Sequence, residues 1–434
     1  MTEGGSKDLR AQMKGWSEER PSVRVGRYID AGCWKRKIRA EGRYGTIRNS
    51  IDRIVEVLFP QDTEQNETPE QKNMRVTVAQ YGTSNIDHMF TKQETRQVIR
   101  SMARRKAPGL DGITIELVEA INKGSPDILL SIFNKCLELG HFPSCWKSAK
   151  LKLINFRDLS DPKAYRPICL LPTMCKVLDK LLTLRIFFHL KSGNFLNPQQ
   201  HGFRPEMSCE TALYHLRSLV EEKARSRWCV CIISLDVAGA FDNVWWPSVL
   251  YLLAKAKCPE NIYDVVVSYL SERYVIFENK ALHLKYKINR GCPQGSCSGP
   301  LFWNLIADHA LNLQLPQNCK LQAYADDLVV WAKDKSSLEQ QVSHALEQLR
   351  AWGVHHKLKF NQSKTSVLPI THMRKLTMTD PPRIAMANST VEVVEEMKYL
   401  GVLWDHTMSF HRHLKAVKQK TDAPALNNSG QVVQ

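Results

Sequence analysis

Acidic residues run short in this sequence: 44 Asp plus Glu face 60 Lys plus Arg over 434 residues, a formal +16. The missing negative charge points to a polyanionic partner, most simply nucleic acid. Long apolar runs are missing too. None reaches the ~18 residues of a bilayer span. The nearest, residues 181–190, is interrupted by Arg185, so no membrane partner is expected. The 12 cysteines contain no C-x-x-C; the closest pairs are Cys229/Cys231 and Cys292/Cys297. Neither zinc ligation nor a disulfide scaffold is expected. A reducing compartment is, and buried small hydrophobes are the better reading of most cysteines. The opening MTEGGSKDLR has no apolar stretch behind its charges, which argues against a secretory signal. With 43% hydrophobic residues, disordered and fibrous classes fall away, and the length allows roughly two or three domains.

What is present is unevenly placed. Residues 33–48 hold six bases (Lys35, Arg36, Lys37, Arg39, Arg43, Arg48) against Glu41, with Trp34 and Tyr44 among them. That pattern suits RNA binding, and equally a plain basic helix face. Residues 61–70 reverse the sign with four acids and no base, and read as a solvated linker. An ordered domain is expected from Thr91 onward. Thr91 and Glu94 have capping-box spacing ahead of Val98, Ile99 and Met102. Ser125-Pro126 opens a second helix whose stripe is Ile128, Leu129, Ile132, Phe133, Cys136 and Leu137, stopping at Gly140. A third, from Ser336, turns Leu338, Val342, Leu346, Leu349 and Trp352 inward and ends at Gly353. Apolar runs at 229–235, 284–288, 321–324, 328–331 and 397–403 read as strands, giving an α+β class. Residues 411–420 are basic, and the polar stretch 422–434 is expected to fray.

Two places set aspartates at strand ends. Val230-Cys-Ile-Ile-Ser-Leu-Asp236 is an apolar strand closing on an acid. Leu321-Gln-Ala-Tyr-Ala-Asp326-Asp327-Leu-Val-Val-Trp331 interrupts an apolar hairpin with two acids. Buried unpaired carboxylates are strongly disfavoured, so the acids must be exposed at a turn or neutralised by a cation. A hard divalent ion such as Mg2+ suits them, and two such ions can drive an in-line phosphoryl displacement. The bland readings are turn chemistry for the Asp pair and a helix N-cap for Asp236.

The order of motifs between Arg104 and Trp404 resembles that of reverse transcriptases of the non-LTR retrotransposon type. Arg104-Arg-Lys-Ala-Pro-Gly-Leu-Asp-Gly-Ile113 is similar to the fingers motif, and Ala164-Tyr-Arg-Pro-Ile-Cys-Leu-Leu-Pro172 to the motif after it. Gln200-His-Gly-Phe-Arg-Pro-Glu-Met-Ser208 resembles the insertion of the non-LTR lineage. Leu235-Asp-Val-Ala-Gly-Ala-Phe-Asp242 and Tyr324-Ala-Asp-Asp327 resemble the catalytic palm motifs. Gly291-Cys-Pro-Gln-Gly-Ser-Cys-Ser-Gly-Pro300 resembles the nucleotide-positioning loop. Asn361-Gln-Ser-Lys364 and Lys398-Tyr-Leu-Gly401 resemble the last palm motif and the primer grip. Residues 241–247 and 298–303 look most like the R1-type clade of arthropod elements.

The resemblance implies a right-hand palm and fingers with a truncated helical thumb. Asp236, Asp326 and Asp327 would be catalytic and hold two Mg2+ ions, with Mn2+ as a substitute; Asp327 would be the less direct ligand. Phe241, five residues past Asp236, would sit under the sugar and reject a 2′-hydroxyl; otherwise it is a core ring. Lys106 and Arg166 would clamp the triphosphate, Gln294 and Gly295 would position the nucleotide, and Lys364 would protonate pyrophosphate. Solvated surface charge is the alternative for each of these cations. Tyr399, Leu400 and Gly401 would form the primer grip.

The implied division is a basic extension and acidic linker over 1–90, fingers and palm over 91–396, and primer grip with truncated thumb over 397–434. Too few residues precede the fingers motif for the family's endonuclease. The implied activity is RNA-directed DNA polymerisation from an RNA template, a DNA primer and dNTPs. Its rivals are a catalytically impaired or domesticated nucleic-acid-binding relative, and an RNA-dependent RNA polymerase, against which Phe241 speaks. The sequence carries no firm localisation signal, although the life cycle of the family implies the nucleus.

Overall fold

The computed structural model describes residues 27–28, 44–155, 161–224, 229–279, 282–334, 337–370, 382–386 and 389–422. The basic residues 29–43 with Trp34, Ser336 and the tail 423–434 fall outside the described residues. Contacts divide the chain into two units. The first takes the described residues up to 197 with 239–309 and 355–358; the second takes 198–238, 310–354 and those from 359 on.

The first unit carries a sheet of β1 (Arg27–Tyr28), β2 (Ser148–Asn155), β3 (Tyr165–Leu170), β5 (Arg273–Glu278) and β6 (His283–Ile288). In β2, Ala149, Leu151 and Leu153 are buried while Lys150 and Lys152 stay half-exposed, the period of a strand with one covered face. It pairs antiparallel with β3 and parallel with β5, which pairs antiparallel with β6. Among the described strands β3 pairs with β2 alone, an edge position that tolerates Pro167 without a ladder donor.

The helices of this unit follow their caps. Thr91 and Glu94 form the reciprocal capping box, and Val98 and Ile99 behind it are buried. In Pro126–Glu138, Leu129, Phe133, Cys136 and Leu137 are buried, but Ile128 and Ile132 are exposed. The buried face is therefore narrower than the apolar stripe. Arg185, which breaks the apolar run of helix Thr173–Ser192, reaches Asp87 at 2.9 Å and Glu94 at 2.8 Å. No helix among the described residues is long and apolar enough to cross a membrane.

Most of the acidic stretch 61–70 is exposed, Glu64 and Glu70 included, but Asp62 and Glu67 are not solvated. Asp62 and Glu67 are buried against two cations: Lys357 Nζ lies 2.7 and 2.6 Å from them, and Arg75 2.6 and 2.7 Å. Both cations lie over the ring of Trp245. Burial works to raise these carboxyls, but the hydrogen bonds and charges of Arg75 and Lys357 prevail and hold them low.

The second unit is built on a five-stranded sheet with β4 (Cys229–Asp236) at its centre. Its other members are β7 (Cys319–Tyr324), β8 (Asp327–Asp334), β9 (Ser366–Ile370) and β12 (Glu392–Val393), in the order β12-β9-β4-β8-β7, while β10 (Ala385–Met386) and β11 (Ser389–Thr390) pair separately. Val230 and Ile232 on β4, Val329 and Trp331 on β8, and Leu368 and Ile370 on β9 pack with Leu216 and Val220 of helix Cys209–Ala224. Helix Leu338–His355 buries Leu338, Val342, Leu346, Leu349 and Trp352, as its spacing predicts, but runs past Gly353, which is itself buried. Residues 397–403 are not one strand. They form a hairpin of β13 (Glu396–Tyr399) and β14 (Val402–Asp405), whose turn residues Leu400 and Gly401 both have positive φ, 46° and 85°. Helix His411–Asp422 follows.

Candidate active site

Strand β4 is apolar almost to its end and closes on Asp236; β8 opens with Asp327. The two run antiparallel, with Asp236 opposite Asp327. Opposed residues of neighbouring strands share a face, with Cβ atoms roughly 5 Å apart. Asp326 occupies the two-residue turn between β7 and β8 with Ala325, whose φ is 54°. Three carboxylates therefore share one end of the sheet. Burial first, and then their negative neighbours, push Asp326 and Asp327 up, Asp327 to about 6 even though its side chain keeps an exposed face.

Lys364 supplies counter-charge: its Nζ lies 3.2 Å from Asp236 Oδ2. The short 3-10 turn Gln362–Lys364 is fastened to β4, because Asn361 N–H donates to the Asp236 carbonyl at 2.8 Å. Tyr399 is buried in the same unit. Gln322 Nε2 donates to its hydroxyl at 3.3 Å, and His215 Nδ1 meets Gln322 Oε1 at 2.7 Å. Burial pushes the Tyr399 hydroxyl up, and the charge of Asp327 adds to that. Leu400 and Gly401 form the turn beyond it.

A second assembly lies in the other unit. Gln294 and Gly295 stand in the loop before helix Gly299–Leu311. Cys292 N–H donates to Phe241 O at 2.9 Å, and Gly291 N–H to Val244 O at 2.8 Å. Gly291 has φ 81°, and a Cβ there would sit 2.6 Å from the Asp242 carbonyl, so the loop demands glycine. Cys169 N–H of β3, the strand of Arg166, donates to Gln294 O at 3.3 Å. Phe241 is half-buried with its ring 5.9 Å from that of Trp303. Burial pushes Asp242 up to about 6, against a hydrogen bond from the Gln294 side chain. Pro167, Asp242, Arg290, Gly291 and Gln294 line a cleft of 270 Å³, counting its open mouth. Arg166 is exposed on β3. Lys106 is exposed in a loop held where Thr173 Oγ1 donates to Ile113 O at 2.5 Å.

The structure thus brings Asp236, Asp326, Asp327 and Lys364 together in one unit, and Phe241, Gln294, Gly295 and the strand of Arg166 together in the other. Sequence reasoning missed two supporting side chains. Asp179, wholly buried, accepts from the N–H groups of Cys297 and Ser298 at 2.6 and 3.4 Å and so fixes the end of the 291–298 loop. Gln200, also buried, accepts from Ala325 N–H at 3.1 Å. Asp179 lies outside the motifs read from the sequence; Gln200 stood inside a motif whose role the sequence left blank. Among the described residues no group of three or more His, Cys, Asp or Glu side chains is placed to hold a metal ion. The all-carboxylate donor set suits a hard divalent ion that keeps waters or phosphate oxygens as its remaining ligands.

Residues 155–403 match the family described as reverse transcriptase (RNA-dependent DNA polymerase). Among curated proteins, the putative 115 kDa protein in type-1 retrotransposable element R1DM of Drosophila melanogaster is 31% identical over 75% of this chain and 31% of its own length. The retrovirus-related Pol polyprotein from type-1 retrotransposable element R1 of Bradysia coprophila is 32% identical over 75% of this chain and 32% of its own. The RNA-directed DNA polymerase from mobile element jockey of Drosophila melanogaster is 28% identical over 76% and 36%. The chain spans about a third of the length of these relatives.

Proposed function

This chain belongs to the reverse transcriptase (RNA-dependent DNA polymerase) family, and from that membership we propose that it extends a DNA 3′-hydroxyl on an RNA template with dNTPs. The observation that carries the proposal is the pairing of Asp236 with Asp327 across β4 and β8, with Asp326 in the adjoining turn. Like charges directly opposite each other are costly, and a site that crowds three of them is built for a cation.

In this reading the sheet around β4 is the palm, and the sheet of β2, β3, β5 and β6 belongs to the fingers. Residues 91–396 comprise fingers and palm; the β13–β14 hairpin is the primer grip, and helix His411–Asp422 begins the thumb. Asp236, Asp326 and Asp327 would hold two Mg2+ ions, or Mn2+ in their place. When bound, such ions lower the pKa of a hydroxyl nucleophile and steady a departing pyrophosphate. The protein's own residues do the rest. Arg166 and Lys106 bind the triphosphate, Arg with the forked geometry that matches phosphate oxygens. Gln294 and Gly295 bring the loop backbone close to the nucleotide. Phe241 blocks a 2′-hydroxyl. Lys364, anchored through Asn361, gives a proton to the leaving group.

The test is extension of a labelled DNA primer on an RNA template. Wild type should extend it and the double variant Asp326→Ala, Asp327→Ala should not. Equal extension by both would leave a protein that binds nucleic acid through this fold without polymerising.

A further inference from the structure

The carboxylate turn is held from outside its own hairpin. Gln200 is 1% exposed, and its Oε1 accepts from two backbone donors, Ala325 N–H at 3.1 Å and Gly202 N–H at 2.9 Å. The surrounding segment runs alongside β7: Ala323 N–H donates to Gln199 O at 3.0 Å, and His201 N–H donates to Ala323 O at 2.8 Å. Gly202 follows directly against the turn. A Cβ on it would lie 2.2 Å from Ala325 N and 2.8 Å from Ala325 Cα.

These contacts meet the turn where it needs help. Ala325 holds φ 54°, a left-handed conformation that a residue with a Cβ adopts reluctantly. The next two residues are Asp326 and Asp327, like charges side by side. One amide oxygen therefore grips the N–H at the strained position directly before this pair, and Gly202 leaves room for the backbone of the turn to come close. All of these residues lie in the second unit.

We propose that Gln200, with Gly202, is a positioning residue of the polymerase reaction: it fixes the Tyr324–Asp327 turn so that Asp326 and Asp327 present their carboxylates in one arrangement. The inference rests on the polymerase reading above. It concerns geometry at the carboxylates, not affinity for nucleic acid. A misplacement of ~1 Å at a reacting centre can cost about 100-fold in rate, so the loss of one turn-fixing hydrogen bond should appear in kcat.

Gln200→Met keeps the volume and removes the acceptor. With DNA primer on RNA template, Gln200→Met should lower kcat by about 10- to 100-fold. Its half-saturating Mg2+ concentration should rise, while the KM for dNTP and the Kd for template–primer stay at wild-type values. Gly202→Ala should reproduce the defect with Gln200 intact. Wild-type kcat in Gln200→Met overturns the proposal. So does wild-type kcat in Gly202→Ala, or a kcat loss in Gln200→Met matched by equal loss of template–primer binding. The double variant Asp326→Ala, Asp327→Ala separates the two readings: if it polymerises as wild type does, the polymerase reading fails. If it is dead while Gln200→Met is normal, only the role of Gln200 fails.

Discussion

Asp236 at the end of β4 stands opposite Asp327 at the start of β8, one carboxylate facing another across two hydrogen-bonded strands. Neither strand gains stability from that arrangement. Burial and the charges of Asp326 and Asp236 raise Asp327 to about 6, so the folded protein binds a proton there more tightly than the unfolded chain does.

The first prediction follows from that sign. Without divalent metal, stability should fall as pH rises from about 4 to about 6, the window between the unfolded and folded values of Asp327. Asp327→Asn should reduce that slope, to which the raised Asp326 and Asp242 also contribute, and stabilise the metal-free protein near neutral pH. Solvent screening of this exposed side chain limits the gain to about 1 kcal/mol. Urea denaturation in EDTA across that pH range checks it; an unchanged slope in the variant counts against crowding as the cause.

A second prediction concerns the buried cluster on Trp245. Lys357→Met leaves Asp62 and Glu67 with Arg75 alone, and removing one partner of a buried ion pair costs about 3 kcal/mol. The two carboxyls are held low in the wild type, so their contribution is present above about pH 4 and is lost as pH falls through their folded values. In the variant, acid unfolding should begin at higher pH. Circular dichroism during acid titration reads the shift.

Asp405 gives a third. Its carboxylate accepts from Thr407 N–H at 2.9 Å, Ser409 N–H at 3.2 Å and Phe410 N–H at 3.0 Å, immediately ahead of helix His411–Asp422. Burial opposes the charge, but hydrogen bonds from the Thr407 hydroxyl and from the N–H groups of Ser409 and Thr407 pull the carboxyl down to about 2. Asp405→Ala should cost about 2 kcal/mol at neutral pH. The penalty should vanish as pH falls from about 4 to about 2, where the wild-type carboxylate itself takes a proton. A variant as stable as wild type at pH 7 would show that the cap carries no weight.

The fourth is chemical. Phe241 is half-buried, its ring against Trp303, with its backbone carbonyl accepting from Cys292 of the nucleotide loop. Phe241→Ala should admit ribonucleotides while leaving dNTP incorporation within a few-fold. Continued rejection of rNTPs by an otherwise active variant would remove the ring from sugar discrimination.

The legible parts of this chain were those whose physics is local. Asp236 and the Asp326–Asp327 pair announced themselves because acids interrupted apolar strands, and the Thr91–Glu94 box because both partners lie within one turn. The illegible parts depend on partners far along the chain. Asp62 and Glu67 read as solvated because Lys357, which buries them with Arg75, is about 290 residues away. Gln200 meets Ala325 across 125 residues, and nothing in its neighbourhood signals a buried acceptor. Strand β2 was recoverable: Lys150 and Lys152 alternate with Leu151 and Leu153 as a half-covered strand must. Leu400-Gly401 likewise carried a turn signal inside what looked like one strand.

The most direct test of the account is single-nucleotide incorporation in Mg2+ on a DNA primer annealed to RNA, comparing wild type with Asp236→Asn. The substitution keeps the shape of the side chain at the head of the Asp236–Asp327 pair and removes its charge. The account predicts a fall of roughly 10³-fold in the incorporation rate with template–primer affinity unchanged. A rate within a few-fold of wild type would contradict it, because the carboxylates would then be turn residues and not the centre of the reaction.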